Sequence, residues 1–171
     1  MTAVRPRDTG ESAAAAAASS LARVLLVGEA PSGLSPELEA DRAQAIAELA
    51  RENEFAPVGV APGPYELRLS IEDGRLVLDI RDAEGRPLIA HLLALGPFRS
   101  LIKDYHLMVE SYAKAVQEGR EARLQAIDMG RRGLHNEAAR LLAERLAGKV
   151  AIDLETARRI FTLLAVLSQR V

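Results

Sequence analysis

Between Tyr65 and Glu72 apolar and polar residues alternate without a break. Tyr65, Leu67, Leu69 and Ile71 fall on one side, and Glu66, Arg68, Ser70 and Glu72 on the other. A period of two is that of a strand with one covered face. Asp73-Gly74 follows, the pair preferred in a two-residue type I′ hairpin turn. Closing the chain there sets Ile71 opposite Leu76, Leu69 opposite Leu78 and Leu67 opposite Ile80. It also sets Arg68 against Asp79, Glu66 against Arg81 and Glu72 against Arg75. Turn type, apolar face and charge agree on one register, which specifies the hairpin. A turn at Ala83–Arg86 leads to a third strand, Leu88–Leu95, where a two- or three-residue loop would send His91 to opposite faces.

Elsewhere the period is helical. Ser35 precedes Pro36, with Glu37 and Glu39 in the first turn, the signature of a capped helix start. That helix runs to about Asn53, with Leu38, Ala45, Ile46 and Leu49 on its core side; Glu52–Gly59 ends it, and Pro62–Pro64 form an extended linker. Pro97 opens a second helix whose apolar face carries Phe98, Leu101, Ile102, Tyr105, Met108, Val109, Tyr112 and Val116, with Gly119 as its stop. Lys103, His106, Glu110 and Lys114 form its solvated side. In the stretch Ile127–Leu146, Ile127, Leu134, Ala138 and Leu141 make a core stripe, and Gly148 is a plausible stop. Gly130 and Gly133 there each cost a helix about 1 kcal/mol, so close backbone approach or a break near Gly133 is expected. Asp153 caps a last helix, where Ile160–Leu167 is apolar nearly all round. That helix is either central to the fold or half-covered by a second subunit, and a homodimer through it is expected.

The N-terminal part differs. Ala13–Ala18 is a low-complexity run, and residues 1–21 read as a disordered Ala-rich tail. Arg23–Val27 reads as a short buried strand. The following Gly28–Ser35 has P-loop spacing but carries Leu34 where the phosphate-binding lysine belongs. The strands beyond it read as antiparallel rather than as part of a βαβ unit, so nucleotide binding is not expected.

The 171 residues suffice for one domain with a real core. There is no cysteine, which removes disulfides, thiolate nucleophiles and Cys-based metal sites, and fits a cytoplasmic protein. The run Ile160–Leu167 is too short to span a membrane. Net charge is −2, so no global field attracts nucleic acid or an anionic membrane, and neither is an expected partner. Charge is uneven: Ser35–Ala56 holds six acids against two bases, and Pro97–Val171 thirteen bases against nine acids.

The candidate chemistry gathers on the helical stretch from Ile127. Asp128, Arg131, Arg132 and His135 share a stripe, with contacts expected at i,i+3 and i,i+4. One reading is a structural ion-pair network. The other is an anion pocket, in which Arg131 and Arg132 clamp phosphate or carboxylate and Asp128 orients His135 as acid or base. Asn136, Glu137 and Lys103 complete the candidate ligand-binding set. No cofactor is expected, and His106 with Glu110 is too sparse a pair for a metal site.

Several passages carry a resemblance: Glu52–Gly59, Gly63-Pro64-Tyr65, Lys103-Asp104-Tyr105, Glu110-Ser111-Tyr112, Ile127–Glu137, and Asp153 with Thr156–Thr162. From about Arg23 onward the chain resembles uncharacterised protein family (UPF) 0262, small proteins found mainly in alphaproteobacteria. The Ala-rich tail and the Gly28–Gly33 spacing depart from that pattern. The resemblance implies no activity, ligand or catalytic residue.

The expected architecture is one α+β domain over residues 22–171. A small, mainly antiparallel sheet, a three-strand meander plus an N-terminal strand, is covered by four or five helices. The leading functional expectation is a non-enzymatic binding or regulatory protein. The alternative is a small metal-free enzyme acting on an anionic metabolite, with His135 as acid or base.

Overall fold

The computed structural model describes residues 9–28 and 33–168. The hairpin forms in the expected register. Strand β3 (Tyr65–Glu72) pairs antiparallel with β4 (Arg75–Asp82), including Ile71↔Leu76, Leu69↔Leu78 and Leu67↔Ile80. Asp73 and Gly74 both have positive φ, 51° and 71°, as the primed turn requires. Strand β5 (Pro87–Ala94) completes the meander after a four-residue loop, with a register irregularity at Ile80/Arg81. His91 therefore stands opposite Leu78, on the core-facing side.

Strand β1 (Leu21–Leu26) lies at the other edge, parallel to β3, giving the order β1-β3-β4-β5. The sheet is mainly antiparallel, as expected, but the reading that the first strand stood outside any βαβ unit is corrected. Helix α2 (Pro36–Arg51) lies in the connection from β1 to β3 and packs on β1, so a parallel crossover is present. Ser35 caps α2, its hydroxyl accepting from Leu38 N at 3.3 Å. Within β1, Leu21 and Val24 are buried while Arg23 and Leu25 are exposed, so only one face of the strand is covered.

Bringing β1 alongside also changes the polar face. Arg23 stands opposite Glu66, which is only 3% exposed and accepts from Arg23 Nε at 3.0 Å and Arg68 Nε at 2.9 Å. Arg81 turns to Asp79 on its own strand, at 3.0 Å, and to the carbonyl of Gly85. The expected cross-strand charges do face one another in register, but Arg68 and Arg81 take their ion pairs elsewhere and Arg75 makes none among the described residues.

A second, two-stranded sheet joins β2 (Phe55–Pro57), within the stretch expected only to end the preceding helix, to β6 (Val150–Ile152), where no strand was expected. Of the Ala-rich stretch expected to be disordered, Thr9–Ala18 forms helix α1. Alanine has the highest helix propensity. The carbonyls of Ala18, its last residue, and of Ser19 and Ser20 just beyond it accept from Gly63, Phe55 and Tyr65 N–H groups at 2.8–2.9 Å.

The remaining helices build the core. A single 3₁₀ turn, Gly96–Phe98, leads into α3 (Arg99–Glu118), which ends at Gly119 with φ 66°. Its apolar face is buried at Phe98, Leu101, Ile102 and Tyr105, but Val116 is 53% exposed. His106 is not a solvated side chain: its Nε2 lies 2.9 Å from the carbonyl of Ala165. Helix α4 (Glu121–Leu146) runs unbroken through Gly130 and Gly133. A methyl at Gly133 would meet nothing within 4 Å and one at Gly130 only the tip of Met108, so neither glycine serves a close backbone approach.

Helix α5 (Leu154–Leu167) is capped by Asp153, whose carboxylate accepts from Thr156 N at 2.9 Å. Every residue from Ile160 to Val166 is buried. Helices α2, α3 and α4 and strand β3 all pack on it. It is the central helix, and the apolar excess that suggested a second subunit is covered within one chain. Among the described residues no helix is long and apolar enough to cross a membrane.

Candidate functional site

Helix α4 turns Arg131 and His135 inward, one turn apart, toward α2 and α5. Helix α2 supplies Asp41, Gln44 and Glu48, a polar row at i, i+3 and i+7. Helix α5 supplies Glu155, Arg158, Arg159 and Thr162 from its first three turns. Together with Ala45 these residues line a cavity of about 390 Å³.

Its charges are arranged in pairs. Asp41 Oδ2 accepts from Arg131 at 2.8 Å and from the Tyr105 hydroxyl at 2.6 Å. Glu48 Oε2 accepts from Arg159 Nε at 2.9 Å, and its other oxygen from Gln44 at 3.0 Å. These two donors hold the Glu48 carboxyl below its usual range. Glu155 accepts from Arg158 at 2.8 Å and lies 3.7 Å from Arg159 Nη2. Arg158 also donates to the side-chain oxygen of Asn136.

His135 is the exception. Its ring packs tilted against Tyr105 and edge-on to Phe161, with centroids 5.9 Å and 6.0 Å away. Burial first, then the guanidiniums of Arg131 and Arg158, push its pKa down to about 4, against the opposing pull of Asp41. The ring is therefore neutral at pH 7. Its Nε2 and the Nε of Arg158 are buried without a hydrogen-bond partner among the described residues. Burial together with Asp41 raises the pKa of the Tyr105 hydroxyl, which stays protonated as a donor.

The expected residues thus divide. Arg131 and His135 meet in the cavity, and Asn136 joins through Arg158. Asp128, Arg132 and Glu137 are exposed and line no part of it. Successive helical residues lie about 100° apart, so Arg131 and Arg132 cannot clamp one group here. Asp41, from another helix, is the carboxylate that pairs with Arg131, and it hydrogen-bonds Arg131 and Tyr105 rather than orienting His135. Lys103 lies on a different cavity altogether. The signal that could have located Asp41, Glu48, Arg158 and Arg159 was the charge asymmetry: acidic α2 binds the basic C-terminal half through Asp41–Arg131 and Glu48–Arg159.

Residues 18–170 match the uncharacterised protein family UPF0262. A UPF0262 protein of Granulibacter bethesdensis is 60% identical over 164 residues, covering 91% of this chain and 93% of the relative. One from Acidiphilium cryptum is 56% identical over 88% of this chain and 93% of the relative. One from Rhizobium leguminosarum is 49% identical over 80% of this chain and 87% of the relative. No solved structure matches.

Proposed function

This chain belongs to uncharacterised protein family UPF0262, and we propose that it is a non-enzymatic cytoplasmic binding protein whose ligand enters the cavity between α2, α4 and α5. The observation that carries this reading is a pair of orphaned buried nitrogens, His135 Nε2 and Arg158 Nε, on two residues of the cavity lining. A buried polar atom left without a partner costs roughly 1–3 kcal/mol. A ligand reaching both would recover that loss. The lining balances three carboxylates, Asp41, Glu48 and Glu155, against three guanidiniums, Arg131, Arg158 and Arg159. Balanced walls suit a compact ligand carrying both an anionic and a cationic group better than a dianion. An acid–base role for His135 is disfavoured, because a group held near pKa 4 is a weak base at neutral pH.

The test uses His135→Phe. Phenylalanine suits the aromatic surroundings and removes the orphaned nitrogen, so the ligand-free protein should melt higher than wild type. A thermal-shift screen of free amino acids and small carboxylates should stabilise wild type and leave the variant unmoved. A screen in which nothing stabilises wild type, or in which His135→Phe keeps the full response, would sink the proposal.

A further inference from the structure

A second cavity, of about 750 Å³, shares no lining residue with the first and differs from it in character. Six apolar side chains contribute to its lining, Leu38, Ile71, Leu95, Ile102, Leu107 and Val109, of which Leu107 is half exposed. Arg99 and Lys103, one turn apart on α3, stand exposed along the same wall. Neither makes an ion pair among the described residues. In the first cavity, by contrast, every guanidinium holds a carboxylate.

The position of these cations is unfavourable for the helix itself. They occupy the first turns of α3, where the positive end of the helix dipole repels them. No acid stands in the first turn, and no side chain caps it. Two cations and a helix N-terminus therefore concentrate positive charge at one end of an apolar hollow. Glu110 lines the same wall, but about 10 Å further along the helix axis from Lys103. His106 lies between them with Nε2 committed to the Ala165 carbonyl, which fixes the proton on that nitrogen.

We propose that this cavity binds an amphipathic anion, an apolar chain or ring seated against Ile71, Leu107 and Val109 with its carboxylate held by Arg99 and Lys103. The apolar body leaves water for the lining, and the two cations recognise the head group. This site does not depend on the reading of the α2–α4–α5 cavity and can hold or fail separately.

Titration calorimetry of the full chain with decanoate, and with decanol as the uncharged control, tests it. Decanoate should bind with one-to-one stoichiometry. Arg99→Gln with Lys103→Gln should weaken decanoate about tenfold, through loss of two exposed charge contacts, and leave decanol unchanged. Leu107→Trp, at a half-exposed lining position, should fill the cavity and remove both. Absence of decanoate binding to wild type would overturn the proposal. So would decanoate affinity that the double variant leaves unchanged, or binding that survives Leu107→Trp.

Discussion

Asp41 Oδ2 accepts two hydrogen bonds at once, from Tyr105 at 2.6 Å and Arg131 at 2.8 Å, and its side chain is 13% exposed. Tyr105→Phe removes one donor while keeping the ring, itself 1% exposed, in its contacts with His135 and Phe161. A hydrogen bond to a charged group is worth roughly 1.5–3 kcal/mol, so the variant should lose about 2 kcal/mol. For a chain of this size each kcal/mol lowers Tm by about 2–4 °C, giving a fall of about 4–8 °C. Arg131 is 34% exposed, so its ion pair is discounted for solvent and Arg131→Ala should cost only about 1 kcal/mol. The double variant leaves the carboxylate with neither donor and should lose about 0.5–1 kcal/mol more than the sum. Urea unfolding of the four proteins reads this directly, as midpoint shifts at constant slope. A Tyr105→Phe protein melting within about 1 °C of wild type, or strictly additive losses, would refute the shared oxygen as an organising contact of α2, α3 and α4.

Acid should destabilise the fold through His135. With a folded pKa of about 4 against an ordinary 6.5, the unfolded chain binds more protons between those values. The contribution, about 3 kcal/mol, is fully present above pH 6.5 and lost as pH falls toward 4; urea midpoints should follow that course, and His135→Gln should flatten it. Gly133→Ala should raise stability by about 1 kcal/mol, since a helix interior with open space beside it loses only glycine's entropy. Gly63→Ala should lower stability by about 1–3 kcal/mol, because the new methyl would sit 2.7 Å from the Tyr65 ring; equal melting temperatures for these two alanine variants would contradict the geometry. Replacing Asp73-Gly74 with two valines should cost at least about 2 kcal/mol, as both positions require positive φ. An unchanged thermal melt would mean the hairpin does not turn there.

What the sequence determined by itself was local. The hairpin register followed from a period of two and a turn of two residues. The caps at Ser35 and Asp153 and the stop at Gly119 followed from side chains and backbone angles within a few positions. Even the buried role of α5 was legible as one of two outcomes, because Ile160–Leu167 leaves no polar face. The tertiary structure decided the rest. Nothing within Phe55–Pro57 or Val150–Ile152 signals that three-residue strands will pair across most of the chain. The placement of β1 against β3 buried Glu66, which alternation alone assigned to solvent. The candidate site shows the same division. Periodicity put Arg131 and His135 on one stripe of α4 but also put Asp128 and Arg132 there, because a helical wheel has no knowledge of which stripe a neighbour covers. Only the packing of α2 and α5 chose Asp41 as the carboxylate and left Asp128 in water. Spacing within a helix is a property of the chain; desolvation, which makes a charge or a ring nitrogen chemically distinctive, belongs to the elements that close over it.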